Sequence, residues 1–166
     1  KPGSKVAIVA PARKVTALEM QPAIELLQSW GLEVVKGMYL FGEEDQYSGS
    51  DQQRWADFQM VLDDASIDAV IFARGGYGFV RIIDKLDFTK FMRHPKWLIG
   101  FSDVTVLHNH VNRNLKVETI HAPMAINIPN TPKAVLENLH QLLTGNKVSY
   151  QYPAHFFNRR GKASGE

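Results

Sequence analysis

The sequence contains no cysteine among its 166 residues. A disulfide framework, a thiolate nucleophile and Cys-based zinc or iron–sulfur sites are therefore excluded. No apolar run approaches the roughly 20 residues of a membrane-spanning helix, and residues 1–10 lack the long apolar core of a signal peptide. We expect a protein with no membrane partner, and a cytoplasmic location is what a fold without disulfides permits.

Neither sign of charge is in excess. Lys and Arg number 19 against 17 Asp and Glu, which gives a formal net charge of +2, and the charges are scattered along the chain. This balance gives no support to nucleic acid as a partner. No spacing of histidines and carboxylates indicates a metal site. We expect neither kind of site.

Short apolar runs alternate with amphipathic segments along most of the chain. Apolar, β-branched runs that end at proline, glycine or polar residues are typical of buried strands. The predicted strands cover residues 5–11, 32–35, 67–73, 97–101 and 117–123. Strands that alternate with helices favour a parallel sheet. We predict an α/β fold with a doubly wound, mostly parallel sheet and helices on both faces.

Capping signals predict where the intervening helices begin. Thr16 is followed three residues later by Glu19, which forms a capping box, and "SDQQ" from Ser50 is a second signal of this kind. The other expected helical features are a short stretch through Val80 and Ile83, a helix from Ser102 that carries Val104, Leu107 and Val111, and a last helix with Thr131 as cap, Pro132 in its first position and its end at Gly145.

The length of the chain predicts one domain with a tail. We place an N-terminal α/β domain over residues 1–150. The segment "KVSYQYP", residues 147–153, alternates like an edge strand, and a basic tail with Phe156 and Phe157 follows. We interpret residues 151–166 as the start of a linker to a further, C-terminal domain against which these phenylalanines would pack.

Ligands of doubly wound sheets bind outside the carboxyl ends of the strands, where loops and helix N-termini converge. Four short segments follow predicted strands at that edge: "APAR", "RGGYG", "GFSD" and "HAP". If the sheet is parallel, these segments form one site.

Ser102 in "GFSD" has two interpretations. Serine is a strong helix N-cap, and Asp103 in the first turn suits the helix dipole. A serine at a turn between a strand and a helix is also where a nucleophile projects over the site, as in the hydrolase pattern G-x-S-x-G. That pattern is half matched, because Gly100 is present but Val104 stands at the second glycine position.

The "RGGYG" segment, residues 74–78, has three open interpretations. Its glycines could let backbone amides approach an anion such as a phosphate, although the P-loop lysine and the G-x-G-x-x-G spacing are absent. The segment could also be a tight turn without a ligand. In the third interpretation, one of its amides pairs with the Asp103 amide as an oxyanion hole, which requires the third and fourth strands to be close.

A serine nucleophile needs a base, normally a histidine. His108 and His110 lie six and eight residues along the same helix, roughly 9 to 12 Å away by helix rise, which is too far. His121, at the end of the fifth strand, is the in-chain histidine that topology could bring to the same edge. A polar residue at a strand end is the more ordinary interpretation of His121.

The segments "VAPA", "RGGYG", "IGFSDVT" and "H-x-PM" (residues 121–124), in this order, resemble the N-terminal half of the LD-carboxypeptidase family of serine peptidases. The resemblance implies that Ser102 is the nucleophile and that the backbone amides of Asp103 and Gly76 form the oxyanion hole. It implies a histidine base and an orienting glutamate from a C-terminal domain, so that His121 is not the base. The candidate substrate-loop residues are Arg74, Gly75, Tyr77 and His121.

The family resemblance also implies a flavodoxin or class I glutamine-amidotransferase-like fold, a cytoplasmic location, no cofactor, and homodimers of the full-length protein. The expected substrate is a small muropeptide from which the terminal D-alanine is removed by cleavage of an L-to-D amide bond. Ala122 is a departure, since relatives often carry glycine there.

Two alternatives stay open. One is an amidase of the microcin C self-immunity type that acts on peptidyl or aminoacyl nucleotides. The other is a non-catalytic α/β module in which Ser102 caps its helix and the glycine turn holds an anion.

Overall fold

A parallel sheet forms the centre of the fold in the computed structural model, which describes residues 2–150, 153–159 and 161–162. Within this part of the chain the sheet has five strands in the order β2-β1-β3-β4-β5, and all neighbours are parallel. The strands are β1 Lys5–Val9, β2 Glu33–Lys36, β3 Ile67–Phe72, β4 Trp97–Gly100 and β5 Ile120–His121. This order is that of flavodoxin-like sheets and confirms the predicted fold class.

Five α-helices in the described residues connect or follow these strands. They are α1 Ala17–Ser29, α2 Asp51–Asp63, α3 Thr89–Arg93, α4 Thr105–His110 and α5 Lys133–Leu143. Shorter 3₁₀ segments cover Phe79–Arg81, Ile83–Lys85, Ser102–Val104 and Ala125–Asn130, and a π-helical turn covers Val111–Leu115. The stretch through residues 80–83 is thus helical as predicted. The short helix α3 was not predicted, because it carries no side-chain cap.

Helices cover both faces of the sheet. On one face, α2, α3 and α4 pack against strand residues such as Ala7, Val70 and Leu98. On the other face, α1 and α5 pack against the alternate residues of the same strands, such as Ile8 and Ile71. Successive side chains of a strand point to opposite faces, so the continuous apolar runs in the sequence correspond to strands buried on both sides.

The two capping boxes are present. The Thr16 hydroxyl accepts a hydrogen bond from the Glu19 amide at 3.2 Å, and the Glu19 carboxylate accepts one from the Thr16 amide at 2.7 Å. Ser50 and Gln53 form the same reciprocal pair at the start of α2. Local sequence therefore predicts both helix starts correctly.

Three other predictions are wrong. Thr131 does not cap α5, because its hydroxyl donates to the Asn127 carbonyl, and Pro132 occupies the N-cap position. The fifth strand is restricted to two residues, since among residues 117–123 only Ile120 and His121 are register partners of β4. Residues 147–150 form no strand. Residues 151–152 of that predicted edge strand, and 160 and 163–166 of the predicted linker, lie outside the described residues.

Candidate active site

The loops that follow β1, β3, β4 and β5 meet at the carboxyl edge of the sheet. The Ala73 amide, just after β3, donates to the Val9 carbonyl of β1 at 2.8 Å, and the Ala122 amide donates to the Gly100 carbonyl of β4 at 3.1 Å. β3 and β4 are adjacent. The four segments singled out in the sequence therefore lie along one edge, and the closeness of the third and fourth strands that an oxyanion hole requires is present.

Ser102 has a left-handed backbone conformation, with φ of 60°. Its side chain is exposed at the start of the Ser102–Val104 segment. Neither this segment nor α4 has a side-chain cap hydrogen bond, so the interpretation of Ser102 as an N-cap is wrong. A non-glycine residue with positive φ is uncommon and costs of order 1–3 kcal/mol. The surrounding packing must therefore hold Ser102 in this conformation.

Gly100, the first glycine position of the G-x-S-x-G pattern, has no room for a side chain. A Cβ atom on Gly100 would lie 2.9 Å from a methyl carbon of Val104 and 3.2 Å from the Phe72 ring. The absence of a side chain at Gly100 thus allows the chain to turn closely over β3 and to bring Val104 back onto the core. Val104, at the second glycine position of the pattern, is a buried core residue.

The "RGGYG" turn is attached to the Ser102 turn by the Asp103 side chain. The Asp103 carboxylate accepts hydrogen bonds from the Gly78 amide at 2.9 Å and from the Phe79 amide at 3.0 Å. A Cβ atom on Gly75 would lie 3.5 Å from the Asp103 nitrogen. The two turns that were expected to form one site therefore touch each other.

The backbone amides of Gly76 and Asp103 have no hydrogen-bond acceptor among the described residues. Gly76 has a φ of 114°, a conformation that side chains disfavour. Tyr77, with a φ of 66°, is 72% exposed and extends from the same turn. The turn therefore combines two left-handed residues in succession with an amide that is available to a ligand.

A cleft of about 350 Å³ opens directly at Ser102. It is lined by Arg13, Arg74, Gly75, Gly76, Phe101, Ser102, Met124, Ile126 and Asn127. The lining contains two arginines and no carboxylate, so it is suited to a negatively charged or polar ligand. A second cleft of about 390 Å³ shares Phe101 and Asn127 with the first and is lined by His121.

Arg74 is held by an acid of the capping box. Its guanidinium lies 4.0 Å from the Glu19 carboxylate. The hydrogen bond from the Thr16 amide, and to a smaller extent the charge of Arg74, lower the pKa of Glu19. Glu19 therefore stays ionised at neutral pH and links the start of α1 to the turn.

His108 is buried beneath the Ser102 turn. Its Nε2 lies 2.9 Å from the Gly100 carbonyl, and since a carbonyl only accepts, Nε2 carries the proton. Its Nδ1 is buried without a partner in the described part of the chain, and burial lowers the pKa of His108. His108 is thus a neutral residue that fixes the carbonyl two positions before Ser102. The His121 ring, 6.2 Å from the His108 ring, lines the second cleft and not the one at Ser102.

Arg54 of α2 binds backbone carbonyls of two loops of the site. Its fully buried guanidinium donates to the Pro11 carbonyl at 2.7 Å and to the Gly78 carbonyl at 3.3 Å, and it forms an ion pair with Asp51. It thereby joins the loop after β1 to the glycine turn. The Tyr47 ring lies 4.6 Å from the Arg54 guanidinium carbon.

The sequence profile of the LD-carboxypeptidase N-terminal domain matches residues 6–122. This chain belongs to the LD-carboxypeptidase family. The match ends just after the strand that carries His121, so it covers the β1, β3 and β4 segments of the site.

Relatives of this chain carry carboxypeptidase names. A putative carboxypeptidase of Streptomyces coelicolor is 38% identical over 131 residues, which is 76% of this chain and 42% of that protein. A probable murein peptide carboxypeptidase of Bacillus subtilis is 34% identical over 149 residues, 90% of this chain and 44% of that protein. The chain thus spans less than half the length of these relatives.

Among solved structures, the fold is similar to that of MccF in complex with glutamyl sulfamoyl guanosine. The TM-score is 0.82 at 19% identity, over 92% of this chain and 49% of that chain. None of the helices in the described ranges of this chain has the length and apolar character that crossing a membrane requires.

The roles of three residues that organise this candidate site were not predicted from the sequence: Arg13, Arg54 and His108. Arg54 and His108 act through carbonyls of Pro11 and Gly100, which no side-chain pattern marks. The carboxylate role of Asp103 was missed as well. The one available signal was the position of Arg13 in "APAR", next to the first strand end.

Proposed function

We propose that this chain carries the nucleophile of a serine carboxypeptidase that releases the terminal D-alanine of muropeptide tetrapeptides by cleaving an L-to-D amide bond. The supporting observation is the conformation of Ser102. Its side chain is exposed, its φ is 60°, it caps no helix, and it lies in a cleft beside two unpaired backbone amides. The name of the Bacillus subtilis relative, a probable murein peptide carboxypeptidase, supports the substrate class.

In this mechanism the Ser102 Oγ attacks the carbonyl carbon of the L-configured residue. The oxygen that becomes negatively charged accepts hydrogen bonds from the amides of Asp103 and Gly76. Collapse of the tetrahedral intermediate breaks the C–N bond, and the D-alanine amine leaves with the proton that the base took from Ser102. Water then attacks the acyl-enzyme and releases the shortened peptide.

The proposed base and its orienting glutamate come from outside this chain, in the half of the relatives' length that the match does not cover. His108 is occupied by the Gly100 carbonyl and His121 lines the neighbouring cleft, which disfavours both as bases. No cofactor enters the mechanism. Binding of Arg74, Gly75 and Tyr77 to substrate, a cytoplasmic location and homodimers of the complete protein are part of the proposal.

The second candidate is an amidase for peptidyl or aminoacyl nucleotides with the same nucleophile. It is favoured by the similarity of the fold to MccF bound to glutamyl sulfamoyl guanosine. A non-catalytic anion-binding module is disfavoured, because that interpretation requires Ser102 to act as a cap.

The test compares the complete protein with its Ser102→Ala variant on a muropeptide tetrapeptide and on an aminoacyl nucleotide. Ser29→Ala is the matched control, since Ser29 ends α1 at the opposite edge of the sheet. We expect Ser102→Ala to abolish D-alanine release and Ser29→Ala to retain it. Retained release by Ser102→Ala contradicts the proposal, and hydrolysis of the nucleotide alone selects the second candidate.

A further inference from the structure

Arg13 lies in the loop after β1 and lines the cleft at Ser102. A Cβ atom on Gly76 would lie 2.6 Å from the Arg13 Cγ and Cδ atoms and 2.9 Å from its Nε. The side chain of Arg13 therefore lies directly on the Gly76 backbone. The Arg13 amide also approaches the Gly75 carbonyl at 3.4 Å, so both backbone and side chain tie Arg13 to the glycine turn.

The two arginines of the cleft differ in their partners. Arg74 has Glu19 at 4.0 Å, and Lys14, next to Arg13 in the chain, pairs with Glu43. Arg13 has no carboxylate within ion-pair distance in the part of the chain that the structure describes, and its side chain is exposed. The cleft thus contains a guanidinium whose charge no carboxylate of the described residues compensates.

An uncompensated guanidinium beside a proposed oxyanion hole has a specific chemical use in a carboxypeptidase. The carboxylate of the terminal residue is three covalent bonds from the scissile carbonyl carbon, so it must lie close to the oxyanion donors when the carbonyl is in place. Arginine presents paired N–H donors that match a carboxylate or a phosphate in two parallel hydrogen bonds.

We propose that Arg13 binds the negatively charged group of the leaving fragment and makes the site selective for substrates that carry that charge. This inference rests on the proposed function. In a tetrapeptide the anion is the D-alanine carboxylate, and in an aminoacyl nucleotide it is the group that links the acyl residue to the nucleoside. Gly76 contributes by leaving room for the Arg13 stem, which a side chain at that position would displace.

The test measures kcat/KM of the complete protein on a tetrapeptide with a free terminal carboxylate and on the same peptide with a terminal amide. The variants are Arg13→Gln, Arg13→Lys and, as a matched control, Arg93→Gln, an exposed arginine that ends α3 ahead of β4 at the opposite edge. Because hydrogen bonds to charged groups are strong, we expect Arg13→Gln to lower kcat/KM on the free acid about 10- to 100-fold.

The same variant should leave kcat/KM on the amide peptide unchanged, Arg13→Lys should restore part of the loss, and Arg93→Gln should have no effect. An equal loss on both peptides overturns the role of Arg13, and so does the absence of any loss on both the free-acid peptide and an aminoacyl nucleotide assayed beside it. A loss that appears only on an aminoacyl nucleotide supports that role and assigns the anion to the nucleotide.

Labelling of Ser102 by a serine-reactive phosphonate distinguishes failure of the proposed function from failure of the proposed role of Arg13. An unsubstituted protein that is neither labelled nor active overturns the proposed function together with this inference. A protein that is labelled and active but insensitive to Arg13→Gln overturns this inference alone.

Discussion

The Asp103 carboxylate accepts a hydrogen bond from the Gly78 amide at 2.9 Å, and this contact joins the turn that carries Ser102 to the glycine turn after β3. The Phe79 amide donates to the same oxygen at 3.0 Å. One side chain therefore sets the distance between the proposed nucleophile and a proposed oxyanion donor. Its backbone amide stays available to the ligand while its carboxylate holds the site together.

Replacing Asp103 by alanine should loosen both turns. The variant leaves the amides of Gly78 and Phe79 without their charged acceptor, so we expect a loss of about 1–3 kcal/mol in the free energy of unfolding together with a large loss of activity. Asp103→Asn retains one acceptor oxygen, so its stability and activity should lie between those of the unsubstituted protein and those of Asp103→Ala. Urea unfolding and peptide hydrolysis measure the two effects.

Asp84→Ala is the control for this change, since the Asp84 side chain is exposed and makes no ion pair with the described residues. We expect it to behave like the unsubstituted protein. If Asp103→Ala unfolds at the same urea concentration as Asp84→Ala, the joining role of the carboxylate is wrong.

Gly75→Ala and Gly76→Ala should separate access to the site from stability. A methyl group on Gly75 makes ordinary contacts, 3.4 Å from the Asp103 Cβ and 3.5 Å from its nitrogen, so the fold should persist while the methyl covers the Asp103 amide. Loss of one oxyanion donor typically lowers kcat about 10²- to 10³-fold, which is the upper limit we expect here.

Gly76→Ala should lower both kcat and the melting temperature. Its φ of 114° disfavours a side chain, and the new Cβ would lie 2.6 Å from Arg13 carbons. Measuring both the melting temperature and kcat distinguishes Gly76→Ala from Gly75→Ala. Full activity of Gly75→Ala would contradict the assignment of the Asp103 amide as an oxyanion donor.

His108 should make stability depend on pH. Burial lowers the pKa of His108 in the folded protein, whereas the unfolded chain has the ordinary value of about 6.5. The unfolded state therefore binds more protons, so the stabilisation is present above about pH 6.5 and is lost as the pH falls below that value. We expect the urea midpoint to fall between pH 7 and pH 5.

His108→Gln should show a smaller decrease over this range, because an amide can still donate to the Gly100 carbonyl but does not titrate. His94→Gln, a change at an exposed histidine, should keep the full decrease. A pH dependence that is the same in all three proteins would rule out His108 as its source.

Arg54→Met should be far more destabilising than Arg81→Met. Both guanidinium groups lie against the Tyr47 ring and contact Asp51, but Arg54 is buried and donates to Pro11 and Gly78. Arg54→Met leaves the buried Pro11 and Gly78 carbonyls without their donor, at a cost of about 1–3 kcal/mol each, whereas the Arg81 pair is exposed to solvent and screened. Chemical unfolding of the two variants measures the difference, and equal effects would contradict a supporting role for Arg54.

The parts of the fold that sequence predicts correctly depend on local patterns. The capping boxes at Thr16 and Ser50 and the apolar runs of the first four strands are contained within a few residues, and the structure confirms them. The fifth strand was predicted too long, because the β-branched residues Val117 and Thr119 do not reveal how far β4 extends beside them.

The sequence predicted which loops form the candidate site, but it did not predict the contacts between them. The order of strand ends placed "RGGYG" beside Ser102, but no local pattern indicates that Ser102 adopts a positive φ instead of capping its helix. The partners of Arg54 include the Pro11 carbonyl, 43 positions away in the chain. Contacts of side chains with distant carbonyls depend on the complete fold, so sequence patterns do not contain them.

The most direct test of the central claim is to identify the residue that becomes covalently modified when the complete protein reacts with a serine-reactive phosphonate. Peptide mapping by mass spectrometry locates the adduct, and excess muropeptide tetrapeptide should slow its formation if the reagent and the substrate share a site. We expect a single adduct on Ser102 and none in Ser102→Ala. An adduct on another residue, or an unmodified protein that still releases D-alanine, would contradict the central claim.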